Sequence, residues 1–401
     1  MKRLAFAAVL ALALPAPAPA QAEVQGNLVR VGVLTDMSGP FSDQVGPGSV
    51  AAARLAAEDF NAEGGALRAE IVAADHQNKP DVGTAQASRW VDAEGVAAVV
   101  DLPNSAVALG VSTILRQRNR VTLASSSATS DLTGKACSPT TVQWVLDTWS
   151  LGHSTAAALL AKGANSWYFV TVDYALGQAL ERDAAEAVKA GGGTVAGQVR
   201  HPLGAADLSS ALVQAQSSGA KVLALANTGA DVINAIKQAG EFGLTRSMQV
   251  AALFIQLSDV HALGLQAAQG LLTTEAFYWD LNDGTRAFSK RFAERMGGRM
   301  PTEDQAGVYS ATLAYLHAVR ATGTIDGDKV VAEMKRQPID DKVFGRVQIR
   351  ADGRTIHPMY LFRVKAPAAS KGPWDYYELV ETIPAERAFR PLAEGGCPLV
   401  Q

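Results

Sequence analysis

Leu28-Val29-Arg30-Val31-Gly32-Val33-Leu34 is a short β-branched run. The loop after it, 35–48, carries Ser38-Gly39-Pro40 and is rich in Gly, Pro and Ser. Residues 49–63 then set Ala52, Leu55, Ala56 and Phe60 at helical spacing, up to the stop Gly64-Gly65. This strand–loop–helix unit decides the fold because it recurs. Strands are predicted at 70–74, 97–100 and 120–124, with helices at 82–92 and 105–117. After a gap the rhythm restarts, with strands at 167–172, 194–200, 221–226 and 249–253 and helices at 176–190, 208–217 and 231–240. Continuous apolar strands alternating with helices imply parallel sheets covered on both faces, hence an α/β chain of two lobes. Residues 271–401 are less regular: a strand at 271–276, helices at 283–295 and 304–321, and a β-rich tail that includes 359–364. No low-complexity linker separates the two series. The lobes are expected to be joined by short crossing strands near 145–148, 272–275 and 345–356. That places 23–146 with 274–345 in the first lobe and 147–273 with 346–390 in the second, leaving 391–401 as a tail.

The 401 residues exceed one ordinary hydrophobic core, which agrees with two lobes. Apolar residues make up 48% and charged residues 19%, so a core can be buried. A net charge of -3 argues against nucleic acid, which needs a basic face. Two cysteines and six scattered histidines offer no recognisable metal site.

The chain starts Met1-Lys2-Arg3, runs through the apolar stretch 4–14 into a Pro/Ala segment, and reaches Ala20-Gln21-Ala22. A basic start, a short apolar run and small residues at one position describe a cleaved secretory signal, cut after Ala22. Eleven apolar residues broken by Pro15 are too few to span a bilayer, which takes about 20. Cleavage leaves 34 basic and 39 acidic residues in a protein expected outside the cytoplasm. In such an oxidising compartment Cys137 and Cys397 are expected to pair and tie down the tail; the alternative is two free thiols. A loop that long would gain about 4–5 kcal/mol in a chain-entropy model.

Ligands of open parallel sheets bind outside the carboxyl ends of strands. The residues expected there are 36–40, 101–105, 125–130, Asp173-Tyr174, Asn227-Thr228-Gly229 and Phe254-Ile255, a set rich in hydroxyls and poor in paired charges. No nucleophile–base pair stands out among them. Gly191-Gly192-Gly193 lacks a phosphate-loop lysine and reads as a helix stop. Gly152-His153-Ser154 lacks the final glycine of a nucleophile elbow. Asp75-His76 has no recognisable third ligand.

Several stretches together resemble the type I periplasmic solute-binding proteins of ABC importers, in their leucine/isoleucine/valine-binding branch. They are Val31-Gly32-Val33 leading into Met37-Ser38-Gly39-Pro40, Ala57-Glu58-Asp59-Phe60-Asn61-Ala62-Glu63-Gly64-Gly65, Ser126-Ser127-Ala128-Thr129-Ser130, the turn Asp173–Gly177, and Ile236-Lys237-Gln238-Ala239 before Phe242-Gly243-Leu244. The resemblance implies two doubly wound lobes on a three-strand hinge, closure around a ligand, and docking on a membrane permease, with no cofactor and usually as a monomer. It places Ser105 and Thr129 at a ligand carboxylate, the Ser127 carbonyl at a ligand ammonium, and Ser38, Asn104, Asp173, Tyr174, Thr228 and Phe254 around them. The family's acid for the ammonium falls near Leu253 or Phe254, and neither is acidic. Leu176 and Thr228 stand where tyrosines are usual. These departures favour an aromatic or apolar carboxylate, with Phe277, Tyr278 and Trp279 as further aromatic lining or as interlobe packing. Asp173 or Asp231 could restore the missing charge. A branched-chain or other amino acid, a receptor-docking sensor and an amide hydrolase are the alternatives.

Overall fold

The structure is a computed structural model and describes residues 24–400. The proposed signal and its cut after Ala22 lie outside the described residues. Five parallel strands form the first sheet: β1 (Leu28–Thr35), β2 (Arg68–Asp75), β3 (Val96–Asp101), β4 (Val121–Ala124) and β5 (Thr141–Gln143), in the order β2-β1-β3-β4-β5. Helix α1 (Gly46–Ala62) packs on one face, α2 (Pro80–Ala93) and α3 (Ser105–Gln117) on the other. β3 is buried along its whole length, as its unbroken apolar sequence requires.

After α4 (Thr148–Leu160) a second parallel sheet follows: β6 (Ser166–Val172), β7 (Thr194–His201), β8 (Val222–Ala226) and β9 (Gln249–Ala252), in the order β7-β6-β8-β9. Side chains alternate across β6. Trp167 and Phe169 join the core against α4 and α5 (Ala175–Ala190). Tyr168 and Val170 face the cluster built by α6 (Ser209–Ser217), α7 (Ala230–Glu241) and α8 (Leu257–Leu263). Each fully buried aromatic contributes about 2–3 kcal/mol. Where α5 leaves β6, a Cβ on Gly177 would sit 2.0 Å from the Val172 carbonyl oxygen, so only glycine allows this approach.

The rest of the chain serves both sheets. After the short α9 (Leu265–Ala268), β10 (Leu272–Glu275) pairs antiparallel with β14 (Met359–Val364), and β14 with β15 (Tyr377–Ile383). Helix α11 (Glu303–Thr322) packs on α1, with α10 (Asp283–Arg295) and α12 (Gly327–Lys335) nearby. Strands β11 (Ile339–Asp341), β12 (Gly345–Ile349) and β13 (Thr355–Ile356) form a small antiparallel sheet. Arg354 bridges to Gln143 of β5, so residues 345–356 sit beside the first sheet. Sequence reasoning set 346–356 with the second lobe. The third passage between the sheets comes later, at His357-Pro358, ahead of β14.

That passage is pinned. Arg354 is buried and donates to the carbonyl oxygens of Leu146 (2.9 Å), Trp144 (3.3 Å) and Val145 on the first passage. His357 Nε2 lies 3.1 Å from the Trp144 oxygen. Asp147 caps α4 just beyond, taking the Ser150 amide at 2.8 Å. Cys137 and Cys397 form a disulfide with Cα atoms 5.6 Å apart, fastening the tail to the first lobe.

Candidate functional site

The carboxyl ends of both sheets face each other, and the two halves touch. Ala230 N donates to the Pro40 oxygen (3.1 Å), and a Cβ on Gly229 would lie 2.4 Å from that oxygen. Gln44 Nε2 reaches across to Thr228 Oγ1 (2.9 Å) and Asp259 Oδ2 (2.8 Å). This is a closed arrangement. An open cleft of about 520 Å³ marks its outer mouth, between Ser38, Pro40 and Asn78 on one side and Leu203 and Gly204 on the other.

Ser105, Ser127 and Thr129 converge. Ser105 Oγ accepts the Thr129 amide at 3.3 Å and lies 3.5 Å from Ser127 Oγ. Asn104, not Ser105, caps α3: its Oδ1 accepts the amides of Ala106 (3.0 Å) and Val107 (3.2 Å). The Ser105 hydroxyl at the helix start is thus spared the capping role. Among the described residues the amides of Ser105 and Ser127 have no hydrogen-bond partner. Hydroxyls and free amides at the positive end of a helix dipole suit an anion. Gln143 Nε2 holds the carbonyls of Ser127 (2.8 Å) and Thr129 (3.1 Å), so the Ser127 oxygen expected at an ammonium is already partly used. The backbone is strained here: Asp101 and Leu102, at the end of β3, have φ of 86° and 65°.

The opposite wall comes from the second sheet. Tyr174 is largely buried, and its hydroxyl has no partner. Burial first, then the charges of Asp231 and Asp36, raise its pKa well above the ordinary value. Asp231, in the first turn of α7, accepts the Gly204 amide (3.2 Å) and leaves its other oxygen unbonded. Thr228 is held by Gln44. Phe254 is buried in the apolar core.

Two expected members stand apart. Asp173 is half-exposed and pairs with Arg200 (3.2 Å) and Gln178, so it lies on the surface rather than at a buried ligand. Ser38 sits at the outer mouth, bonded to Asp75 Oδ2 at 3.3 Å. Tyr278 and Trp279 both donate to the Trp374 oxygen and pack beside β14 and β15, so they are structural aromatics.

Sequence reasoning missed the acids. It looked for one after β9, and Leu253 and Phe254 there are indeed apolar and buried. The structure instead brings Asp259 from α8 and Glu303 and Asp304 from the start of α11 into the same interior, near Asp101. Burial lifts the pKa of Asp101 to about 6 and of Asp259 to about 7, and those of Glu303 and Asp304 well above the ordinary range. Gln44 and Gln256, which tie these acids across the cleft, were also missed. Asp259, three residues after Gln256, is the only local signal: it reads as a capping pair.

Among the described residues no three His, Cys, Asp or Glu side chains are placed to hold a metal ion, and no helix is long and apolar enough to cross a membrane. Two parallel sheets facing across a polar, hinged interior are built to enclose a small solute. The comparisons agree. A family model described as periplasmic binding protein matches residues 28–373. The Leu/Ile/Val-binding protein homolog 6 of Brucella melitensis is 30% identical over 321 residues, covering 77% of this chain and 80% of that one. A periplasmic binding protein from Burkholderia mallei superposes with a TM-score of 0.91 at 44% identity, over 94% of this chain and all of that one. A branched-chain amino acid ABC transporter periplasmic ligand-binding protein from Burkholderia xenovorans does so at 0.82 and 40%, over 93% of this chain and all of that one. Members of this family are binding proteins of transporters rather than enzymes, and the family implies the periplasm. Hinge, facing strand ends and sequence together make the chain a type I solute-binding protein of the periplasmic binding protein family, of the Leu/Ile/Val-binding kind that serves ABC transporters.

Proposed function

We propose that the protein is exported by cleavage after Ala22, captures a small carboxylate in the interlobe cleft as a monomer, and presents the closed form to a membrane permease. The observation that carries this is the convergence of Ser105, Ser127 and Thr129 around amides without partners at the start of α3. A carboxylate there takes hydrogen bonds from hydroxyls and amides and gains from the helix dipole. The second lobe supplies Tyr174 and Thr228. A solute touching both lobes stabilises the closed state by its preference for that state.

The test is calorimetry on residues 23–401, freed of carried-over ligand, with amino acids, benzoates, cinnamates and dicarboxylates as probes. A carboxylate from this panel should bind, and Ser105→Ala should weaken it about ten-fold, as the loss of one hydrogen bond to a charged group predicts. The Asn104 cap is untouched, so the fold should hold. If amides or sugars bind and carboxylates do not, or if Ser105→Ala changes nothing, the carboxylate reading is wrong.

A further inference from the structure

Two amide–carboxyl pairs cross between the lobes, in opposite directions. Gln44, from the first lobe, donates Nε2 to Asp259 Oδ2 on α8 (2.8 Å). Gln256, at the cap of α8, donates Nε2 to Asp304 Oδ2 on α11 (2.8 Å). Thr302 Oγ1 donates to the Gln44 oxygen (2.6 Å), so both crossings rise from one corner of the first lobe. The second pair is incomplete. Asp304 Oδ1 and Gln256 Oε1, the two atoms it does not use, are buried and have no partner. In an ionised carboxylate and an amide both are acceptors.

Buried acceptors without donors are costly and are rarely left so. One proton removes the deficit here. A carboxylic acid offers a donor on one oxygen and an acceptor on the other, and a glutamine amide offers the same two, so the groups then exchange both bonds. An ionised Asp304 keeps one bond and places a charge in a sealed interior. Its surroundings favour the acid form. Glu303 on its own helix, Asp101 at the end of β3 and Asp259 on α8 act on Asp304, and all are acids. Asp43 acts in turn on Asp259, and Glu275 and Arg354 on Glu303, with Arg354 bonded to the hinge carbonyls. Charges elsewhere along α11 are engaged: Asp59 on α1 with Arg291, Glu63 just beyond α1 with Arg320, Glu333 on α12 with Arg336, and Lys335 with the Ala351 oxygen. Among the described residues no Lys, Arg or His forms an ion pair with Asp259 or Asp304. Burial accordingly holds Asp304 well above the ordinary carboxyl range and Asp259 at about 7. When the lobes part, Gln256 leaves with the second lobe and water reaches the acid.

We propose that Asp304 carries a proton in the closed form and joins Gln256 as a carboxylic acid–amide pair between the lobes, so that closing takes up a proton and losing that proton opens the cleft. This latch is independent of which solute the cleft takes. An acid whose pKa is higher closed than open favours closure below the open-state value and loses that contribution as pH rises through the closed-state value. Between the two values, each pH unit lowers the closing equilibrium about ten-fold.

Amide exchange on residues 23–401, freed of carried-over ligand, tests it. Ala230 reports closure, because its amide donates to the Pro40 oxygen across the lobes. Corrected for the intrinsic effect of pH on exchange, its protection should fall about ten-fold or more from pH 6 to pH 8. The amides of β3, which report unfolding of the whole molecule, should stay at least about ten-fold better protected than Ala230 at both values. Asp304→Asn supplies the same donor at every pH. It should match the parent at pH 6 and exceed its protection about ten-fold or more at pH 8. Gln256→Met keeps the volume and removes the pair from the other lobe, so it should lose protection at pH 6. Thermal denaturation should show both variants folded. The proposal is overturned if the parent is level between the two pH values, if Asp304→Asn falls as the parent does, if Gln256→Met stays as protected as the parent at pH 6, or if Ala230 exchanges no faster than β3.

Discussion

Two buried ionisable centres sit near the hinge and are bonded in opposite ways. Arg354 is spent: Nε donates to the Thr355 oxygen at 3.1 Å, the two terminal nitrogens serve the carbonyls of Leu146, Trp144 and Val145, and the Phe389 ring lies 4.1 Å from the guanidinium carbon. Glu303 and Asp304 each engage one oxygen and leave the other bare. All three are fully buried, so desolvation does not distinguish them. Completeness of bonding does. A group buried to hold a fold finds its partners within the fold. Glu303 and Asp304 do not complete their bonding, and burial with no cation paired to them raises their pKa well above the ordinary range.

The comparison breaks most sharply at Arg354. Burial lowers its pKa to about 10, so it is still charged at neutral pH. Replacing it by methionine keeps the volume and strips the donors from a set of buried hinge carbonyls. Arg354→Met should cost about 3–5 kcal/mol, as removing one side of a buried charged network does. Urea denaturation measures this. A loss under about 1 kcal/mol would mean that water or backbone shifts satisfy those carbonyls and that Arg354 is no pin.

The acid side makes a prediction of opposite character. A carboxyl whose folded pKa is raised stabilises the fold below its unfolded pKa and loses that contribution as pH rises through the folded value. Asp101 and Asp259, at about 6 and about 7, therefore erode stability upward from pH 4. His76 and His357 work against them, since burial lowers both to about 4 and folded neutral imidazoles gain stability up to about pH 6.5. Above that only the acids remain, with Glu303 and Asp304 raised further. The ligand-free protein should lose about 1–2 kcal/mol between pH 6.5 and 8. Denaturant titrations at the two pH values check it. A level or rising stability would show that these acids already have partners.

The same contrast explains how far the sequence could be read. The β1–α1 and β3–α3 units were legible because their strands are unbroken apolar runs and their helices keep one apolar stripe. Helix α4 was not: its buried face carries Thr148, Ser150, Gly152 and Thr155, small polar residues that show no stripe. Strands β5, β11 and β13 span three residues or fewer, too short for a period of two to appear. That Ser105, Ser127 and Thr129 meet was legible because strand ends in one lobe lie close in sequence, while the ligand roles expected of them came from the family resemblance. The acids were not, since they arrive from α8 and α11, more than 100 residues downstream. Each also looks ordinary in place, because Glu303 and Asp304 follow the cap Thr302 as first-turn acids of a helix commonly do.

Asp173 closes the comparison at its weak end. Sequence reasoning offered it as the restored charge, and its type and strand-end position match Asp101 closely. The difference is solvent. Asp173 and Arg200 are 51% and 40% exposed, whereas the acids at Asp101 and Asp304 are sealed. Water screens an exposed pair and side-chain entropy opposes it, so its contribution is under about 0.5 kcal/mol. Asp173→Asn should therefore leave both stability and solute affinity within error of the parent protein. Calorimetry and urea denaturation on this variant beside the parent protein measure both. If Asp173→Asn weakened the solute ten-fold, the cleft would have to close further in solution than the arrangement described, bringing Asp173 inward and displacing Arg200.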